Sequence, residues 1–199
     1  MLDKKLTDYT FTVVDTETTG LSPYKGARLV EIGAVKIYPG LSIRFDKGFS
    51  TLINPEKPIP PAAYKIHKIS DEVVADAPKI HEVLPHFSKF VENTVFVAHN
   101  ASFDFKFIDY FYKTYNMSCP LIAVVDTLKI ARKVIKGLKS YSLDSLIDYF
   151  QIKMSFPGSY RHRAIFDAAH TAVIFKKLLD YLLKENSTIS LYELIYYFH

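Results

Sequence analysis

The chain has 199 residues, 49% of them hydrophobic and 23% charged, with a formal net charge of +4. This is the make-up of one soluble globular domain with a substantial core, and it excludes a strongly basic nucleic-acid coat. No apolar stretch approaches the ~20 residues of a membrane helix, Met1-Leu2-Asp3-Lys4-Lys5 has no signal-peptide core, and the single Cys119 excludes internal disulfides and zinc sites built from several cysteines.

In chain order, the apolar, β-branched run Phe11-Thr12-Val13-Val14 predicts a buried strand leading into Asp15-Thr16-Glu17-Thr18-Thr19-Gly20. Leu29–Tyr38 and Ser42–Ile53 predict two more strands around the turn Pro39-Gly40, forming an antiparallel meander with the first. Pro55, Pro58, Pro60 and Pro61 predict a break in regular structure, and Ser70 a cap for a short helix carrying Asp71 and Glu72. Ile80, Val83, Leu84, Phe87 and Val91 have helical spacing, with a kink or restart expected at Pro85. Thr94–Ala98 predicts a short buried strand, Ala101–Tyr115 a helix, Ile122–Val125 a fifth strand, and Thr127 the start of another helix. A short helix over Ser142–Phe150 and a long one over Ala164–Lys184 precede an aromatic closing segment. Three strands followed by alternating helices and strands indicate a mixed α/β sheet flanked by helices.

Three acidic constellations stand out. Asp15 and Glu17 alternate along one strand and so share a face. Two such carboxylates are either a solvated strand end or ligands of an oxygen-loving divalent cation such as Mg²⁺ or Mn²⁺. In His99-Asn100-Ala101-Ser102-Phe103-Asp104, a third carboxylate falls in the first turn of a helix that follows a buried strand. A lone acid there would be read as a partner of the helix dipole; strand-to-helix junctions are also where open α/β sheets build sites. In Arg161-His162-Arg163-Ala164-Ile165-Phe166-Asp167, His162 lies ahead of the long helix and Asp167 inside its first turn, an arrangement that suits a mobile general base beside a fixed ligand. Basic residues gather at Arg132, Lys133, Lys136 and Lys139, at Lys65, His67 and Lys68, and at Arg161, His162 and Arg163. They are either solvated faces or approaches for a polyanion.

Taken together, Asp-x-Glu, His-Asn-x-x-x-Asp and His-x₄-Asp, in this order, resemble the three motifs of the DEDD superfamily of 3′→5′ exonucleases, in its histidine-containing branch. The wording Asp-Thr-Glu-Thr-Thr-Gly-Leu is most similar to the bacterial DNA polymerase III epsilon-type and polymerase-embedded proofreading exonucleases. The resemblance covers roughly residues 8–184, leaving a short tail over 185–199 within a single exonuclease domain spanning 1–199. It also takes in Glu31-Ile32-Gly33-Ala34 and Asp126-Thr127-Leu128.

The resemblance implies a ribonuclease H-like fold with a five-stranded mixed sheet. It implies Asp15, Glu17, Asp104 and Asp167 as ligands of two divalent cations, Mg²⁺ with Mn²⁺ able to substitute, and His162 as general base. Thr18, Gly20, Leu21, His67, His99 and Phe103 are implied around the terminal nucleotide, although Phe103 fits plain core equally well. The implied reaction releases nucleoside 5′-monophosphates from the 3′ end of single-stranded or frayed DNA, with a DNA polymerase as a partner. Alternatives are an RNA-trimming enzyme of the same fold, since contacts to the 2′-OH are not legible in a sequence, and a catalytically inactive binding module. A cytoplasmic protein with no membrane contact is the simplest reading.

Overall fold

Phe11–Thr18 forms the central strand β1, and its apolar run is continuous because both faces of the sheet are covered. The computed structural model describes residues 4–154 and 163–196. β2 (Leu29–Tyr38) pairs antiparallel with β1, setting Asp15 opposite Gly33 and Glu17 opposite Glu31. β3 (Ser42–Leu52) completes the meander as an edge strand, with a register shift between Ala34 and Lys36. Its exposed Arg44, Asp46 and Lys47 keep that edge from pairing further. β4 (Val95–Ala98) runs parallel to β1, and β5 (Ala123–Asp126) runs parallel to β4, giving the order β3-β2-β1-β4-β5. The carboxyl ends of β1, β4 and β5 therefore lie along one rim, the position at which α/β sheets receive ligands.

Alternating side chains divide the core in two. On one face Phe11, Val13, Val35, Ile37, Val95, Val97 and Val125 pack against α5 (Thr127–Val134), α6 (Leu143–Tyr149), α7 (Ala164–Glu185) and α8 (Leu191–Tyr196). On the other, Val14, Ile32, Ala34, Phe96 and Ala98 pack against α3 (Ile80–Val91) and α4 (Ala101–Thr114). This is the ribonuclease H-like α/β arrangement expected above.

Three local expectations change. The proline-rich stretch does not simply break structure: Pro61 occupies the first position of α1 (Pro61–His67), where its fixed φ is preorganised and no N–H is missed. α3 runs as one helix through Pro85. The carbonyl robbed of its donor belongs to exposed His81, whereas Val83, Leu84 and Phe87 hold the opposite face in the core. Ser70 stands at the N-cap of α2 (Asp71–Val74) but makes no side-chain capping bond. The Asp71 carboxylate instead accepts the Ile59 N–H, tying α2 to the preceding loop.

A candidate carboxylate metal centre

Asp15 and Glu17 project from the end of β1 on the face that receives α7. That helix can come close because its contact on β2 is Gly33: a Cβ there would overlap the Ala164–Ile165 peptide. The approach brings Asp167, in the first turn of α7, to the strand, and carboxylate oxygens of Asp15, Glu17 and Asp167 all lie within 4.8 Å of one another. Asp104 comes from α4, on the other side of the sheet, and is 3% exposed. Its Oδ1 accepts a 2.7 Å hydrogen bond from the Thr16 hydroxyl, the residue between the two acids of β1.

Proximity and burial raise the proton affinity of this group. Burial, reinforced by Asp104, Asp167, Glu17 and Glu31, pushes the Asp15 carboxyl well above its ordinary value. Glu17 rises from 4.5 to about 8, chiefly through burial and then through Asp167 and Glu31, with Arg163 opposing. Asp104 rises from 3.8 to about 7 through burial, against the stabilising Thr16 bond. Acids that resist ionisation so strongly are poor as a bare surface cluster. They fit a divalent cation, whose charge reverses the penalty and whose preferred ligands are carboxylate oxygens.

Glu31 completes the arrangement and was not singled out as a site residue. It is fully buried, and both its oxygens accept from Arg163 Nε at 2.9 and 3.0 Å, while Oε1 also accepts from Nη2 at 2.8 Å. Oε2 further accepts the Ala164 N–H at 3.1 Å. The signal was present in the sequence as an acid inside the otherwise apolar run of β2. His162, adjacent to Arg163 in sequence, lies outside the described residues.

The remaining predicted residues fall around the rim. Thr18 donates its hydroxyl to the Gly20 carbonyl at 2.7 Å, closing the turn after β1. Leu21 is 82% exposed, and its carbonyl accepts from Lys106 Nζ at 2.9 Å. Phe103 is partly buried against Phe107, with the Lys106 ammonium 5.4 Å from its ring centre. His67 is buried: Nδ1 accepts the Ile69 N–H at 3.0 Å, which leaves the proton on Nε2, on a ring that adjoins the Thr18 backbone. His99 meets the Tyr141 carbonyl through Nε2 and the Thr127 hydroxyl through Nδ1, both at 2.9 Å. A carbonyl only accepts, so Nε2 carries the proton; burial lowers the His99 pKa, so the ring is neutral and Nδ1 accepts from Thr127.

Comparison with known proteins places this geometry. Residues 12–175 match the exonuclease family RNase_T. The chain is similar to a DNA polymerase III of the PolC type from Caldanaerobacter subterraneus subsp. tengcongensis, with 41% identity over 172 residues, 86% of this chain and 12% of that protein. It is similar to the DNA polymerase III subunit epsilon of Rickettsia typhi, with 38% identity over 170 residues, 83% of this chain and 72% of that one. Among solved structures it resembles Exonuclease X in complex with 5′ overhanging duplex DNA, with a TM-score of 0.72 and 29% identity, covering 94% of this chain and 98% of that one. The chain thus spans about an eighth of the PolC-type relative and most of the epsilon subunit.

Proposed function

The chain belongs to the RNase_T exonuclease family of DEDD type, and from that membership we propose that its 199 residues form one Mg²⁺-dependent domain shortening DNA from the 3′ end. The observation that carries this reading is the approach of the Asp15, Glu17 and Asp167 oxygens to within 4.8 Å at the end of β1, with buried Asp104 beside them.

These four carboxylates would hold two divalent cations, Mg²⁺ or, in substitution, Mn²⁺. Bound there, the cations supply Lewis-acid activation of water and of the scissile phosphodiester. The chain contributes position. Asp15 and Glu17 sit on the innermost strand of the sheet, and Thr16 orients the Asp104 carboxylate through its hydroxyl. Asp167 is held at its height by the Glu31–Arg163 clamp and the Gly33 contact.

By the family pattern, His162 takes the proton of the attacking water; an imidazole with an ordinary pKa near 6.5 suits that task. The leaving strand departs with its 3′-hydroxyl, and the product is a nucleoside 5′-monophosphate. Leu21, an exposed leucine whose backbone is fixed by Lys106, forms an apolar cover for the terminal nucleoside. The partly buried ring of Phe103 offers a stacking surface for a base, and buried His67 adjoins the Thr18 backbone. The kinship with two DNA polymerase III proteins supports DNA as substrate and a replicative polymerase as partner or neighbouring domain.

The test is digestion of 5′-labelled single-stranded DNA, a mispaired primer-template and RNA with Mg²⁺, with Asp167→Ala as control. A DNA ladder shortening from the 3′ end, faster on the mispair and absent in the variant, is expected. Preference for RNA would move the substrate class while keeping the chemistry. No digestion with Mg²⁺ or Mn²⁺ would overturn the reading.

A further inference from the structure

Between α5 and the start of α6 runs an open groove of about 600 Å³ whose walls include His99, Asn100, Arg132, Lys139, Ser140 and Ser142. Its inner end is at the catalytic rim. Asn100 follows β4, donates its backbone N–H to Asp126 at the end of β5, and is the residue from which α4 sets out toward Asp104 one turn later. The inner wall is rigid, because both nitrogens of the His99 ring are engaged.

The groove also sorts the basic cluster met in the sequence. Arg132 and Lys139 line it, whereas Lys133 and Lys136 do not. Arg132 and Lys139 are exposed, and neither is paired with a carboxylate among the described residues. Asp126, the nearest acid on β5, is turned inward, accepting the N–H groups of Asn100 and Leu128. The Ser140 and Ser142 hydroxyls are engaged with one another and with Ser145, so the two cations and the exposed Asn100 amide are the groups of this channel that complement phosphodiester oxygens.

We propose that this groove binds the phosphodiester backbone of the strand being shortened, upstream of its 3′ end, with Arg132 and Lys139 as the phosphate contacts. The inference rests on the nuclease reading for its substrate and adds the path that the strand takes away from the carboxylates. A bland alternative is that Arg132, in the last turn of α5, serves only the helix dipole. That role would be blind to nucleic acid.

Binding of 5′-fluorescein oligothymidylate, followed by anisotropy in EDTA over a salt series, separates the two. For Arg132→Ala/Lys139→Ala, affinity is expected to fall on the order of tenfold and the log–log salt slope to become shallower by about 1.4, or 0.7 per lost phosphate contact. Lys136→Ala, on the same stretch but outside the groove, is expected to bind as wild type. With Mg²⁺, the double variant is expected to raise KM by the same factor and keep kcat. Unchanged affinity and slope in the double variant would overturn the proposal, as would an equal loss in Lys136→Ala, which would mean diffuse charge alone. Absence of hydrolysis by the wild type would fault the nuclease reading and leave the binding result standing.

Discussion

The buried Glu31 carboxylate and the Arg163 guanidinium are locked side-on, with Nε and Nη2 donating to Glu31 and the next backbone N–H donating as well. The entrance of α7 is thereby fastened to β2, four residues ahead of Asp167. Breaking the pair strands a charge. Glu31→Gln is expected to lower stability by about 3 kcal/mol, the lower end for a broken buried pair. The reason is that Arg163 keeps 37% of its side chain exposed. Urea unfolding measures it, and turnover should fall further than the loss of folded protein explains.

Gly33→Ala attacks the same contact by volume. The added methyl meets backbone, which has no rotamer to retreat into, so α7 must lift from the sheet at Ala164 and Ile165. A cost of about 1–3 kcal/mol is expected, together with weaker Mn²⁺ binding as Asp167 moves away from Asp15 and Glu17. A variant with wild-type affinity for Mn²⁺ would show that the close approach does not set the height of Asp167.

The raised carboxylates make the metal-free protein sensitive to base. The folded pKa of Glu17 lies above its unfolded value, near 8 against 4.5, and that of Asp104 near 7 against 3.8. The unfolded chain therefore releases these protons first, and stability is full at low pH and is lost as pH rises through that window. In EDTA, the midpoint of thermal unfolding should decline between pH 4.5 and 8. Asp15→Asn should flatten the decline and raise the midpoint near neutrality, since it removes one of the mutually repelling charges. Added Mg²⁺ should reverse the trend, because the cation binds the ionised forms.

Leu21 offers a test confined to the substrate. At 82% exposure it contributes little to folding, so Leu21→Ser should leave thermal stability unchanged. Covering a leucine is worth about 1.5–3 kcal/mol when complete, so KM for DNA should rise by up to about a hundredfold while Mn²⁺ binding is untouched. An unchanged KM would place the terminal nucleoside elsewhere.

Most elements and the antiparallel meander of the first three strands were legible because β1, β2 and the helices announce themselves by period and run length, whereas the order of the full sheet is set by the parallel pairing of β4 and β5, which no local pattern carries. Phe11–Val14 is an apolar, β-branched run, Leu29–Tyr38 is apolar but for Glu31 and Lys36, and α5 starts at Thr127 as expected. α1 is not legible locally because four prolines in seven residues signal a break, whereas Pro61 stands at the one helix position that tolerates it. Asp15, Glu17 and Asp167 could be named through the resemblance that their motifs carry, but not their meeting within 4.8 Å, which depends on Gly33 yielding room to a helix over a hundred residues away in the chain. Glu31 was hidden for the same reason: its partner Arg163 is 132 residues distant, and only the fold brings the two together. His67 and His99 show the converse. Both were placed by resemblance, and both have Nδ1 engaged by the protein's own hydrogen bonds, with His99 Nε2 also committed to Tyr141.

The decisive measurement is Mn²⁺ binding to metal-stripped protein, read from the paramagnetic resonance of the free ion, for the wild type and for Asp15→Asn side by side. Saturable uptake of two ions by the wild type, reduced to one or none in the variant, is the expected result. Equal uptake by both proteins, or no uptake by the wild type, would contradict the assignment of Asp15, Glu17, Asp104 and Asp167 as the metal centre.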